Sequence, residues 1–233
     1  NKLMKFISVI PARSGSKGLK NKNIFKINNK PLVNYTFNAA KSSLIKDHFV
    51  LTDSSKVKKL AKKYSINTDY FRPKKLSTDK TSLPETLHDF YNWTLKKKIK
   101  FDYLVVLQPT SPLRDFNDIN KSLTLIRKTK NLSLFSISSS LEHPYETIKL
   151  FKKKIYHVLK KSKNFYRRQD FDFKSYFING AIYIIHKSLI IKKKMHNLKK
   201  HSLYEMPKTR SLEINDRDEA MIIESLIKNR KYI

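Results

Sequence analysis

From Lys5 to Ile137 short apolar runs alternate with segments of helical period, and few architectures tolerate that order. The runs Lys5–Ile10, His48–Thr52, Thr68–Phe71, Asp102–Leu107 and Leu132–Ile137 are predicted as strands. Between them, Pro31 opens a helix with Leu32, Tyr35, Thr36, Ala39 and Ala40 on one face. Val57, Leu60, Ala61 and Tyr64 follow at i, i+3, i+4, i+7, behind a cap at Ser54 or Ser55. Leu83–Leu95 and Asp115–Arg127 are the next helices. The unbroken apolar run Tyr103–Leu107 suits a strand covered on both faces. The class is therefore α/β, a doubly wound and mostly parallel sheet.

Beyond about residue 140 the rhythm changes. Thr147–Phe151 and Ile155–Leu159 flank Lys152–Lys154 like the arms of a hairpin. Phe177–Ile185 is predicted as a strand interrupted by Asn179-Gly180, and Arg210–Ile214 as a last strand. Asp218–Lys228 is a last helix with Ala220, Ile223 and Ile227 inward. With no repeat and no Pro- or Gly-rich linker, residues 1–233 read as one domain with a small inserted β subdomain at 141–175.

There is no cysteine, which excludes disulfides and thiolate-bound zinc. No apolar run approaches the roughly 20 helical residues that span a bilayer, and Phe6–Ile10 is shorter than a signal-peptide core. The expectation is a soluble cytoplasmic protein with no membrane partner. Lys and Arg number 50 against 19 Asp and Glu, a net charge of +31. That raises nucleic acid as a partner. The lysines, however, lie in small clusters from end to end, without an RNA-binding aromatic signature, so no specific nucleic-acid binding is expected. Only three residues are glycine, at 15, 18 and 180, and only nine of the 50 cations are arginine. Each glycine is a candidate for a place where no side chain fits. Each arginine is a candidate for a bidentate contact that lysine cannot make.

Two loops carry candidate chemistry. Pro11-Ala12-Arg13-Ser14-Gly15-Ser16-Lys17-Gly18-Leu19-Lys20-Asn21-Lys22-Asn23 follows the first strand, where ligands of open α/β sheets bind. Two glycines three apart let backbone amides wrap a phosphate, and Arg13, Lys17 and Lys22 add charge. It is neither a P-loop nor a dinucleotide fingerprint, and on its own it reads equally as a basic turn. Gln108, Thr110, Ser111 and Arg114 end the fourth strand in a loop stiffened by Pro109 and Pro112. They would lie beside the first loop if strands one and four are neighbours.

These stretches, Ile10–Gly18 with Lys22-Asn23, Leu107–Arg114 and Asn179–Ile184, resemble the motifs of acylneuraminate cytidylyltransferases over about residues 5–225. The resemblance implies a Rossmann-like nucleotidyltransferase that joins CTP to a nonulosonic acid with loss of pyrophosphate. It implies Arg13, Lys17 and Lys22 as catalytic cations, and Ala12, Gly15, Ser16, Asn23, Arg72 and Ser82 on the nucleotide. Gln108, Thr110, Ser111, Asn179 and Gly180 fall on the sugar side. The acceptor's carboxylate falls to Arg167 or Arg168, with Arg168 preferred. Some relatives carry a sugar-side lysine where Glu146 stands here, so that role is not carried over. Mg2+ is the expected cofactor, on Glu213 and Asn215, which alternate at i and i+2 as the family's acids do. Asp216 is expected to cap the last helix instead. His143 and the pair Asp170/Asp172 read as surface residues, and no general base is apparent. The segment 141–175 is expected to pair subunits as a homodimer. The Asn-Gly-Ala triplet favours N-acetylneuraminate or legionaminate over pseudaminate. Other sugar nucleotidyltransferases of this fold, or a basic nucleic-acid binder, are the alternatives.

Overall fold

The computed structural model describes residues 4–16, 18–159, 167–195 and 199–229. Its centre is a six-stranded mixed sheet in the order β10-β6-β9-β5-β1-β4. These strands are β1 (Phe6–Pro11), β4 (Asp47–Leu51), β5 (Tyr103–Leu107), β6 (Ser133–Ser139), β9 (Tyr176–His186) and β10 (His201–Glu205). Two small antiparallel pairs stand apart: β2 (Lys26–Ile27) with β3 (Lys30–Pro31), and β7 (Ile148–Phe151) with β8 (Lys154–His157). β1 runs parallel to both β4 and β5, and β10 parallel to β6, while β9 lies antiparallel between β5 and β6.

Strand alternation divides the core. On one face Phe6, Ile10, Val105 and Leu107 pack with Val33 and Phe37 of α1 (Leu32–Lys41), Val57 of α2 (Ser55–Lys63) and Ile119 of α4 (Phe116–Thr129). On the other, Ile7, Val9, Leu104 and Val106 meet Leu87 and Phe90 of α3 (Leu83–Lys96) and Leu189 of α5 (Lys187–Ile191). Trp93 closes that layer edge-on to Phe49 and Tyr70. A third cluster joins Leu19, Leu32 and Leu113 to Ala220, Ile223 and Ile227 of α6 (Arg217–Lys228). The three α6 residues predicted to face inward do so.

Two predicted strands are corrected. Thr68–Phe71 makes one isolated bridge, Thr52 to Phe71, with a second just before it, Phe49 to Asn67. Arg210–Ile214 is a 3-10 turn, Lys208–Ser211, followed by extended chain. The strand on that edge is β10, where only Ser202 is buried, so its sequence lacks apolar alternation. The hairpin β7–β8 is present, and Lys152 and Lys153 turn it with φ of 48° and 62°. All eight of its strand residues are exposed.

One polar pair lies inside the first core layer. Ser8 Oγ and His48 Nδ1 are 2.7 Å apart across the β1–β4 pairing, with His48 only 5 % exposed. Burial, assisted by Lys41, pushes the His48 imidazole down to about 4. Between pH 6.5 and 4 the unfolded chain binds a proton there that the folded chain refuses, so stability falls as pH drops through that window. The full effect is at most about 3 kcal/mol. Urea midpoints at pH 7 and pH 4.5 should separate for the wild type and converge for His48→Gln; equal separation in both proteins would refute this.

Candidate active site

β1, β4 and β5 are adjacent and parallel, so their carboxyl ends share one rim. The first loop leaves β1 there and is tied down at once. Ala12 N donates to Leu51 O at 3.0 Å, and Thr52 Oγ1 donates to Ala12 O at 2.5 Å. Ser14 N and Oγ both donate to the Asp53 carboxylate, at 2.7 and 2.6 Å. Ser16 Oγ donates to Leu19 O and accepts from Lys22 N, and Asn23 Nδ2 reaches back to Arg13 O at 2.9 Å. A basic loop that would otherwise repel itself is thereby folded into one shape.

The result is a cleft of about 250 Å³. Arg13, Gly15, Ser16, Lys22 and Asn23 of the first loop, Arg72, and Gln108 and Thr110 of the second line it together. Arg13 Nη2 is held by Asp79 at 2.5 Å. Arg72 is buried, and its Nε and Nη2 donate to Leu76 O at 2.8 and 2.5 Å. Burial lowers the affinity of the Arg72 and Lys22 cations for their protons; at Lys22 the carboxylates of Glu213 and Glu219 oppose that shift. Three cations converging on one cleft, each fixed by neighbours, form a receptor for a polyanion.

A third segment closes the cleft. Ile214 N donates to Thr110 O at 2.8 Å, Thr110 Oγ1 to Glu213 Oε1 at 2.7 Å, and Lys22 Nζ to Asn215 Oδ1 at 3.5 Å. Gly18 packs so tightly here that a Cβ would fall on the Asn215 carbonyl oxygen. Gly180, at φ +71°, lies beneath the Gln108 side chain.

Other expected site residues stand elsewhere. Lys17 lies outside the described residues. Ala12 and Ser111 are fully buried and do not line the cleft, and the cap of α4 is Asp115. Ser82 caps α3 in a reciprocal box with Glu85. Asn179 is buried: its amide accepts from Ser136 Oγ at 2.6 Å and donates to Ser211 Oγ at 3.0 Å, tying β9 to its neighbours. Arg168 sits on the inserted segment, bound to Glu146 at 2.9 Å and to Glu142, while Arg167 chelates Asp170. Arg168 lines a separate cavity with His143, Lys174 and Lys208. The alternation that was to put Glu213 and Asn215 on one face of a strand is absent, although both do reach the cleft's edge through Thr110 and Lys22. Asp216 caps α6 with Glu219.

Arg114 is a further correction. It is not offered to ligand but is 2 % exposed, donating to Gln108 O, Ala181 O and Thr36 Oγ1 at 3.1, 3.0 and 2.8 Å. Sequence reasoning did not single out Asp53 and Asp79, the anions that pin the loop. Their signal was faint: acids are scarce in this chain, and these two stand just past β4 and within the stretch after Arg72.

Sequence comparison agrees with this geometry. The chain is 30% identical over 231 residues to "Post-translational flagellin modification protein B" of Campylobacter coli, covering 98% of this chain and 97% of that protein. It is 33% identical over 224 residues to the N-acylneuraminate cytidylyltransferase of Streptococcus agalactiae serotype III, covering 93% of this chain but 52% of the relative, so it spans about half that protein's length. Among solved structures it is similar to CMP:2-keto-3-deoxy-manno-octonic acid synthetase complexed with CTP, with a TM-score of 0.70 at 14% identity over 97% of this chain and 99% of that one. That likeness shows the fold. Among the described residues no helix is long and apolar enough to cross a membrane. The cytidylyltransferase family profile matches residues 7–224, nearly the whole of the described chain, and the protein belongs to that family.

Proposed function

We propose that this protein transfers CMP from CTP to the anomeric hydroxyl of a nonulosonic acid. The hydroxyl oxygen attacks the α-phosphorus, its proton passes to solvent, and the bond to the leaving pyrophosphate breaks. The observation that carries the reading is the convergence of Arg13, Lys22 and Arg72 with Gln108 and Thr110 in one cleft. Nucleotidyl transfer needs positioning and charge stabilisation more than covalent chemistry. Fixed cations meet that need, because negative charge moves onto the leaving group. Gln108 and Thr110 supply neutral hydrogen-bonding groups on the acceptor side of the same cleft. The Asn-Gly-Ala triplet at 179–181 supports N-acetylneuraminate or legionaminate as acceptor.

Incubation with CTP, Mg2+ and a panel of nonulosonic acids tests this. Pyrophosphate release with N-acetylneuraminate or legionaminate is expected. Release only with 3-deoxy-octulosonate would move the protein to another branch of the fold, and no release with any sugar acid would overturn the proposal.

Mg2+ belongs to this reading. Among the described residues no group of three or more His, Asp or Glu could hold a metal unaided. Glu213 and Asn215 offer one carboxylate and one amide oxygen beside the phosphate loop. Such a set suits Mg2+, which takes one or two carboxylates and completes its shell with phosphates and water. Bound there, it would supply charge neutralisation to the phosphate oxygens. Glu213→Gln should raise the Mg2+ concentration for half activity, while Asp216→Ala mainly lowers the melting temperature by removing a helix cap. The reverse pattern would move the site to Asp216.

A homodimer is also proposed. A two-stranded hairpin is marginal in water, yet Leu150, Phe151, Ile155 and Tyr156 of β7–β8 are exposed. A second copy covering them would explain their persistence. Sedimentation at micromolar protein should give a dimer, and Leu150→Lys with Ile155→Lys should give a monomer. A wild-type monomer would contradict it.

A further inference from the structure

The connection from β10 to α6 carries Glu213 and Asn215 to the cleft, yet beyond its 3-10 turn, Lys208–Ser211, it is extended chain outside the sheet. No strand pairing sets its register. A buried ion pair does. Asp118, in the first turn of α4, is 0 % exposed, and Arg210 holds it with a fork: Nη2 donates to Oδ1 at 2.9 Å and Nε to Oδ2 at 3.0 Å. Tyr204 Oη donates to Oδ1 at 3.0 Å, and Asp115 N to Oδ2 at 3.2 Å. Such a fork fixes the guanidinium in angle as well as in distance. Apolar residues of similar volume often stabilise a fold as well as a buried pair does, so stability alone does not account for it.

What the pair holds is one side of the cleft. α4 begins directly after the loop that carries Thr110. Arg210 stands three residues before Glu213, and Ser211 between them accepts from Asn179 Nδ2 at 3.0 Å. Ile214 N then donates to Thr110 O at 2.8 Å. The chain from Arg210 to Ile214 is therefore anchored at both ends to α4 and its leading loop, and Glu213 lies within that span. We propose that Asp118 and Arg210 are positioning residues: their ion pair sets where the Glu213 carboxylate and the Asn215 amide stand toward a nucleotide-bound Mg2+. The assignment rests on the cytidylyl-transfer reading above. Neither residue lines the cleft, so both act through the segment they hold. Partners that orient metal-binding groups in this way are worth about 10–100-fold in metal affinity or activity.

CTP binding is measured by titration calorimetry in EDTA and in Mg2+, with the acceptor acid omitted so that nothing turns over, beside melting temperatures. Wild type should bind CTP more tightly in Mg2+. Arg210→Lys keeps the charge and loses the fork. Asp118→Asn combined with Arg210→Met removes both charges and keeps an acceptor for Tyr204 and Asp115. Both proteins should bind CTP in EDTA within about twofold of wild type, and in Mg2+ about tenfold more weakly than wild type. The double variant should melt near the wild type. Wild-type affinity in Mg2+ for both variants would overturn the assignment, as would equal weakening in EDTA and in Mg2+, the result of a loosened fold. A wild type that binds CTP no more tightly in Mg2+ would overturn the metal reading and this assignment together. The expected CTP binding, without pyrophosphate release from any nonulosonic acid, would overturn the proposed function alone.

Discussion

Arg13→Ala or Lys22→Ala lowers pyrophosphate release by at least about 10²-fold at saturating CTP. Each removes a preorganised charge from the region where negative charge develops, and one such donor is worth about 10²–10³ in turnover. The preorganisation is visible. Arg13 is clamped by Asp79, and its own carbonyl is held by Asn23. Lys22 is partly buried between the loop and the Glu213 segment. Neither side chain supports the core, so both variants should keep the wild-type melting temperature. Loss of activity with unchanged melting separates chemistry from collapse. Wild-type turnover in both variants would remove the loop from the mechanism.

Arg114→Met should cost about 2–4 kcal/mol of stability, seen as a melting temperature lower by roughly 5–10 °C. Arg114 crosses the interior from the second loop to α1 and β9. Burial presses its guanidinium down to about 10, a measure of what that placement costs. Methionine fills much of the volume but leaves two buried carbonyls, of Gln108 and Ala181, without that donor. Arg114→Lys should fall between, since an ammonium cannot span three acceptors in a plane. Because Gln108 hangs on this bond, the Met variant should also weaken acceptor binding more than CTP binding. An unchanged melting temperature would show that the guanidinium is replaceable.

The parts of the fold legible in the sequence were those whose signal is local. β5 is apolar throughout, and β1, β4 and β6 are buried over nearly their whole length, because helices cover both faces of the sheet, and α2, α3 and α4 carry their periodicity openly. β10 was missed because an edge strand buries little. The stretch 210–214 was misread because Leu212 and Ile214 alternate like a strand, whereas their burial comes from docking under α6. In the site, the phosphate loop was legible because a tight turn around an anion needs its cations and glycines close in sequence. Residues that act by holding others were not. Asn179, beside a glycine at a strand's middle, has the look of a ligand contact, yet its partners Ser136 and Ser211 lie 43 and 32 residues away. The same distance in sequence hid Arg210, which pairs with the fully buried Asp118 at 2.9 Å.

The antiparallel strand β9 has a consequence in time. β5 and β6 are separated in the sheet by β9 alone. Until residue 186 has been synthesised, a growing chain holds the three strands β4-β1-β5 and an unpaired β6, with open backbone groups on β5 and β6. Such edges invite pairing with other chains, and pairings between residues distant in sequence form slowly. A nascent chain truncated near residue 150 therefore has every strand of the phosphate-binding half and no means of closing it. Released as a fragment, it should aggregate, whereas adding residues 151–229 in trans should recover soluble sheet.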